Sequence, residues 1–155
     1  MRILSVGSLS GMSNTCLHRN WALHKVADEV DEINTQLNPI TLWGRICYHL
    51  FFLGLPIRIP ENNKENEKIC KMVKNKDYDI VWIDKGHTIL PSTLKYIKKI
   101  SPNTIIVSYS PDNMALRHNQ TQQYLETIPL YDYFFTNKSY ILDNMRKLGA
   151  KNIFF

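Results

Sequence analysis

Short apolar runs alternate with stripes at helical spacing along the whole chain. RILSV (residues 2–6) predicts a short buried strand ending at Gly7. A small-residue loop, SLSGMSNT, follows, and Asn14 or Thr15 is placed to cap a helix reaching Val26 or Ala27, with Leu17, Trp21 and His24 at helical spacing. EVDEINTQ (29–36) predicts a second strand. LWGRICYHLFFLGL (42–55), apolar on most faces and closed by Pro56, predicts a buried or interface helix; a bilayer span needs about 20 residues. In the charged stretch after Pro60, Ile69, Met72 and Val73 share one helical face. DIVWID (79–84) then predicts a strand buried on both faces.

The second half repeats the alternation. LPSTLKYIKKI predicts a helix with Leu94, Ile97 and Ile100 inward, TIIVSYS a strand, residues 121–128 a helix and YDYFFTN a strand. Ser139 is placed to cap a last helix striped by Ile141, Leu142, Met145 and Leu148, with Gly149 at its C-terminus, before KNIFF opens one more strand. Strands alternating with helices imply right-handed crossovers and an α/β fold. The expected architecture is a Rossmann-like, doubly wound parallel sheet of about six strands with helices on both faces, in the order 3-2-1-4-5-6. Such sheets bind ligands beyond the carboxyl ends of their strands, which makes four loops candidates for one site.

Composition narrows the class. At 155 residues, 44% hydrophobic and 21% charged, the chain suits one ordinary globular domain. A net charge of +5 and a pI near 9.1 suit either a solvated surface or anionic ligands. No zinc spacing, RNP-like motif or basic stripe occurs, so no nucleic-acid partner is expected. Cys16, Cys47 and Cys70 are widely separated and form no CxxC pair, the pattern of reduced thiols used for side-chain packing in a cytoplasmic protein. The N-terminus runs straight into a strand pattern without a signal-peptide core.

The first candidate loop supplies Gly7, Ser8, Gly11, Met12, Ser13 and Asn14 ahead of a helix N-terminus, with Arg19 one turn in. It suits close backbone approach to an anion or sugar hydroxyl, but also a plain tight turn. It has no GxGxxG spacing and no Walker lysine, and no acidic residue closes the second strand, so a dinucleotide site is not expected. The second loop holds Lys85, for a phosphate or for Asp84, and His87, an acid–base candidate as well as an ordinary structural histidine. In the third, Ser110, Asp112, Asn113 and Asn119 belong to a polar run longer than one turn requires, although Asp112 and Asn113 also suit local capping. The fourth offers Thr136 and Lys138.

Three segments in order, VWIDKGHTILPSTL, VSYSPDNM and IPLYDYFFTNKSYILDNMRKLGAKNIFF, resemble the CgeB-like (spore-maturation) glycosyltransferases, and GSLSGMSNTCLHRNWAL fits their opening. The resemblance covers most of the chain and is weakest between Asn38 and Glu67. It implies the N-terminal, acceptor-side half of a GT-B enzyme, which transfers a sugar from a nucleotide sugar to an acceptor hydroxyl across a cleft between two Rossmann-like domains. By that likeness Gly7 to Asn14 line the cleft, and Asp112 and His87 are the acid–base or hydroxyl-orienting candidates. No metal and no other cofactor is implied, because helix dipoles and basic side chains stabilise the leaving diphosphate.

The sequence stops at Phe155, before any donor domain, so weak or absent turnover is expected of this chain alone. Expected partners are a nucleotide sugar, an acceptor, a C-terminal GT-B domain or a homodimer mate, with peripheral membrane contact through residues 42–55 as a further option. A non-catalytic sugar-, nucleotide- or protein-binding module is the alternative. Response-regulator and flavodoxin readings fit less well: the first strand ends without an acidic cluster, and SLSGMSN is a loose phosphate loop.

Overall fold

A computed structural model describes residues 1–35 and 39–155; Gln36, the expected end of the second strand, lies outside the described residues. In chain order the elements are β1 (Arg2–Gly7), α1 (Thr15–Val26), β2 (Glu29–Asn34), α2 (Leu42–Phe52), α3 (Glu65–Asn75) and β3 (Ile80–Asp84). There follow α4 (Pro91–Ile100), β4 (Ile105–Ser110), α5 (Gln122–Thr127), β5 (Tyr133–Thr136), α6 (Leu142–Lys147) and β6 (Ile153–Phe154). Short 3-10 turns at Arg117–Asn119, Ile128–Leu130 and Ser139–Ile141 complete the framework. The six strands form one all-parallel sheet, an α/β Rossmann-like fold.

The strand order is β2-β1-β3-β4-β5-β6, not the expected 3-2-1-4-5-6. Among the described residues no strand forms beyond β2; the chain crosses back over β1 through α2 and α3, and β3 pairs with β1. The first connection therefore steps one way and every later one the other way. With right-handed crossovers this places α1 on one face and α3, α4, α5 and α6 on the opposite face. On the four-helix face, Val6, Ile83, Ser108 and Phe134 stand side by side in register. Ile69, Val73, Leu94 and Ile97 cover its first half, and Tyr124, Ile128, Ile141 and Met145 its second.

Several side chains point elsewhere than their spacing suggests. The inward face of α1 is Cys16 and Asn20, while Trp21 is 45% exposed. β3 is fully buried on one face only: Ile80 and Trp82 stay half-buried. Ile100 at the end of α4 is exposed, and Ser139 begins a 3-10 turn without capping the helix after it. Residues 42–55 do form a helix, α2, but it turns only Gly44, Cys47 and Phe51 inward. It lies over the carboxyl end of the sheet, against the 3-10 turn Arg117–Asn119 and with the Phe51 ring 5.5 Å from that of His87.

Candidate functional site

Because all six strands are parallel, the loops after β1, β3, β4 and β5 emerge at the same end of the sheet. The first three converge. A cleft of about 110 Å³ opens between the ends of β1 and β3, with Ser8, Asn14, Cys16, Asp84, Lys85 and Thr88 in its walls. That volume admits a few waters or a phosphate-sized group; small-molecule sites run to about 300–1,000 Å³.

Asn14 organises the β1 loop. Its side-chain oxygen accepts from the Cys16 N–H at 3.0 Å, capping α1, while its amide donates to the carbonyls of Ser8 and Ser10. Gly7 answers to close packing: a Cβ there would stand 2.5 Å from Cys16 Sγ and 2.9 Å from Asp84 Cβ. Gly11, at φ +89°, forms an open turn, and Met12 and Ser13 beside it are exposed. Burial and the nearby Asp84 carboxylate push the Cys16 thiol up to about 12, so it stays protonated at neutral pH and is no nucleophile.

The charged groups pair with one another. Arg19 reaches from α1 across Tyr109, its guanidinium 4.3 Å from the ring centroid, and forks onto Asp84 at 2.6 and 2.8 Å. Asp84 is buried and thereby taken, so Lys85 does not pair with it; Lys85 bonds Asp112 of the third loop at 2.7 Å. Lys85 is held at φ +64°, with the Gly86 N–H bonded to the Asp84 carbonyl, a γ-turn of the strained kind. Gly86 follows at φ +75°, where a Cβ would meet the Tyr131 hydroxyl at 2.8 Å. This left-handed pair turns the Lys85 side chain toward the β4 loop.

His87 is buried between the rings of Phe51 and Tyr124. Burial first, and the Lys85 charge second, lower its pKa to about 4, so at neutral pH it is an uncharged imidazole. Its Nδ1 has no hydrogen-bond partner among the described residues. Asp112 is the partly exposed carboxylate of the group, 39% accessible and able to accept a further hydrogen bond.

The remaining candidates separate. Ser110 is fully buried, and its hydroxyl accepts from the Asp112 N–H at 3.3 Å. Asn113 caps its own turn by accepting from the Ala115 N–H, and Asn119 donates to the Asn113 carbonyl. Thr136 is buried and accepts from the Lys138 N–H; no described bond ties this fourth loop to the other three. The polar run after β4 is thus largely self-bonded, with Asp112 facing the β3 loop.

A buried network that sequence reasoning missed fixes the β3 loop from below. Glu65 and Asn66 open α3 and are both buried. Glu65 accepts from the Thr88 hydroxyl, while Asn66 donates to the Thr88 carbonyl and accepts from the Leu90 N–H and the Thr93 hydroxyl. In the sequence these residues sit in ENNKENEK, which looks like a solvated face. Among the described residues, no group of three His, Cys, Asp or Glu is placed to hold a metal ion.

An α/β domain with its polar loops gathered at one rim of a parallel sheet is the class defined so far. No family model and no curated protein sequence matches the chain. Among solved structures, the chain is similar to an α-glucosyltransferase in complex with UDP and a 13-mer DNA containing an HMU base, with a TM-score of 0.53 and 22% identity over 99% of this chain. It is also similar to an α-glucosyltransferase in complex with UDP-glucose and DNA containing an abasic site, with a TM-score of 0.52 and 20% identity over 99% of this chain. The chain spans 41% of the length of each of these neighbours. At this identity the likeness is one of fold.

Proposed function

We propose that this chain is the acceptor-side Rossmann domain of a GT-B glycosyltransferase of the CgeB-like type, which acts with a donor domain to move a sugar from a nucleotide sugar to an acceptor hydroxyl. The observation that carries the reading is the fold match over 99% of this chain to UDP-bound α-glucosyltransferases, of which it spans 41%. The charge pattern supports the acceptor side. A leaving diphosphate needs unpaired positive charge, yet Arg19 is forked onto Asp84 and Lys85 is bonded to Asp112. Asp112, half open to solvent, is suited to orient a hydroxyl; neutral, enclosed His87 is suited to shape the wall behind it. The same pairing favours, as second reading, a binding module without chemistry of its own.

The test is a transfer assay with UDP-glucose and a panel of acceptors, alongside binding titrations. The panel includes DNA, because two of the similar structures hold it, contrary to the expectation of no nucleic-acid partner. The chain alone is expected to bind an acceptor, to lose about tenfold in that binding in Asp112→Asn, and to show little or no transfer. Robust turnover by this polypeptide would overturn the half-site reading. Failure to bind any acceptor would overturn the acceptor-side assignment.

A further inference from the structure

We propose that α2 docks this domain onto an anionic lipid surface. No helix among the described residues is long and apolar enough to cross a bilayer, so the contact is peripheral. With Gly44, Cys47 and Phe51 facing inward, the helix turns outward an arc of Leu42, Trp43 and Ile46, which are 44–75% exposed. At about 100° per residue, Arg45 and His49 fall along one flank of that arc. Phe52, the last residue of the helix, and Leu53 just after it add further exposed apolar surface.

Charge complementarity selects the occupant. Residues 39–60 contain Arg45, His49 and Arg58 and no carboxylate. Arg58 is bonded to Glu126, while no described ion pair engages Arg45. The adjoining 3-10 turn adds exposed Arg117, whose Cβ lies 3.5 Å from where a Gly54 Cβ would stand. Apolar side chains led by a tryptophan, flanked by exposed Arg45 and Arg117 and with no carboxylate on the helix itself, suit insertion at the boundary between acyl chains and anionic headgroups. A second copy presents the same basic flank, so like charges oppose self-association through it. The Phe51–His87 contact places this surface at the same end of the sheet as the candidate cleft, but the proposal does not depend on the cleft's function.

The experiment is co-sedimentation of the full chain with vesicles of 3:1 phosphatidylcholine to phosphatidylserine and of phosphatidylcholine alone, at low and high salt. Binding is expected to the anionic vesicles, weakening with salt. Ile46→Glu is expected to reduce it about tenfold and Arg45→Glu several-fold, with melting curves unchanged because both residues are exposed. Tryptophan emission is expected to shift to the blue on binding, and the shift to vanish in Trp43→Phe although Trp21 and Trp82 remain. If the chain stays in the supernatant with anionic vesicles, the proposal fails. If it also scatters light as a dimer that Ile46→Glu breaks into monomers, α2 is a protein interface instead. Equal binding to both vesicle types would overturn the anionic selectivity.

Discussion

On one face of the sheet Val81, Ile83 and Ile106 are fully buried beneath α3 and α4; on the other, Ile80, Trp82 and Ile105, their immediate neighbours in sequence, are half-buried or exposed. The first face is sealed by apolar contacts from four helices and the 3-10 turns beside them. The second has α1 over its β1 and β2 side and then a row of aromatic rings. Trp82 lies 5.8 Å from Tyr109 and 6.4 Å from Phe135, which lies 5.5 Å from Phe154. The residues of β3, β4 and β5 are largely apolar on both faces, so composition does not separate them. Crossover direction does: one connection steps left and four step right, and helices follow the steps. The helix-poor face is tied to α1 by the Arg19–Asp84 fork, where the other face is held by dispersion and apolar burial.

The largest expected effect lies in that fork. Arg19→Ala leaves the buried Asp84 carboxylate unpaired and should cost about 3–5 kcal/mol in denaturant unfolding. Adding Asp84→Asn should restore part of the loss. If Arg19→Ala were neutral, the contrast in how the two faces are anchored would be wrong. Ile83→Ala, which empties a fully enclosed site on the sealed face, should cost about 3 kcal/mol.

A comparable effect comes from acid. His87 has a folded pKa near 4, below an unfolded value of about 6.5. The unfolded chain therefore binds the extra proton first, and stability falls as pH drops from about 6.5 toward 4, by about 3 kcal/mol in all. Above pH 6.5 this group contributes no slope. His87→Gln should flatten that part of the pH–stability curve. A profile unchanged by the substitution would mean that the Phe51–His87–Tyr124 stack is open to water.

The smallest effect sharpens the comparison most. Phe154→Ala on the helix-poor face, where the ring is 48% exposed, should cost below about 1 kcal/mol. If it costs as much as Ile83→Ala, that face is covered in solution by something beyond the described residues.

Much of the fold was legible because hydrophobic periodicity is local. The six strands, the Asn14 cap of α1 and the Gly149 turn after α6, at φ +102°, stand where the pattern put them. Parallel strands put all four candidate loops at one end, as expected; that only the β1, β3 and β4 loops meet there was settled by the Arg19–Asp84 and Lys85–Asp112 pairs. Partner choice was not legible. Lys85 and Asp84 adjoin in sequence, yet alternation along β3 and the γ-turn send them to Asp112 and Arg19. Buried Glu65 and Asn66 were hidden for the same reason: their partners, Thr88, Leu90 and Thr93, lie more than twenty residues away.

By itself the sequence determined the alternation of strands and helices, and with it a parallel sheet with polar loops at one rim, since those depend on side-chain spacing within each segment. Tertiary structure alone decided that β3 joins β1, that one sheet face carries four helices and the other one, and that Arg19 and Lys85 at the rim are neutralised by Asp84 and Asp112. Those outcomes depend on contacts between distant segments, whose free energies the order of residues within any one segment does not encode.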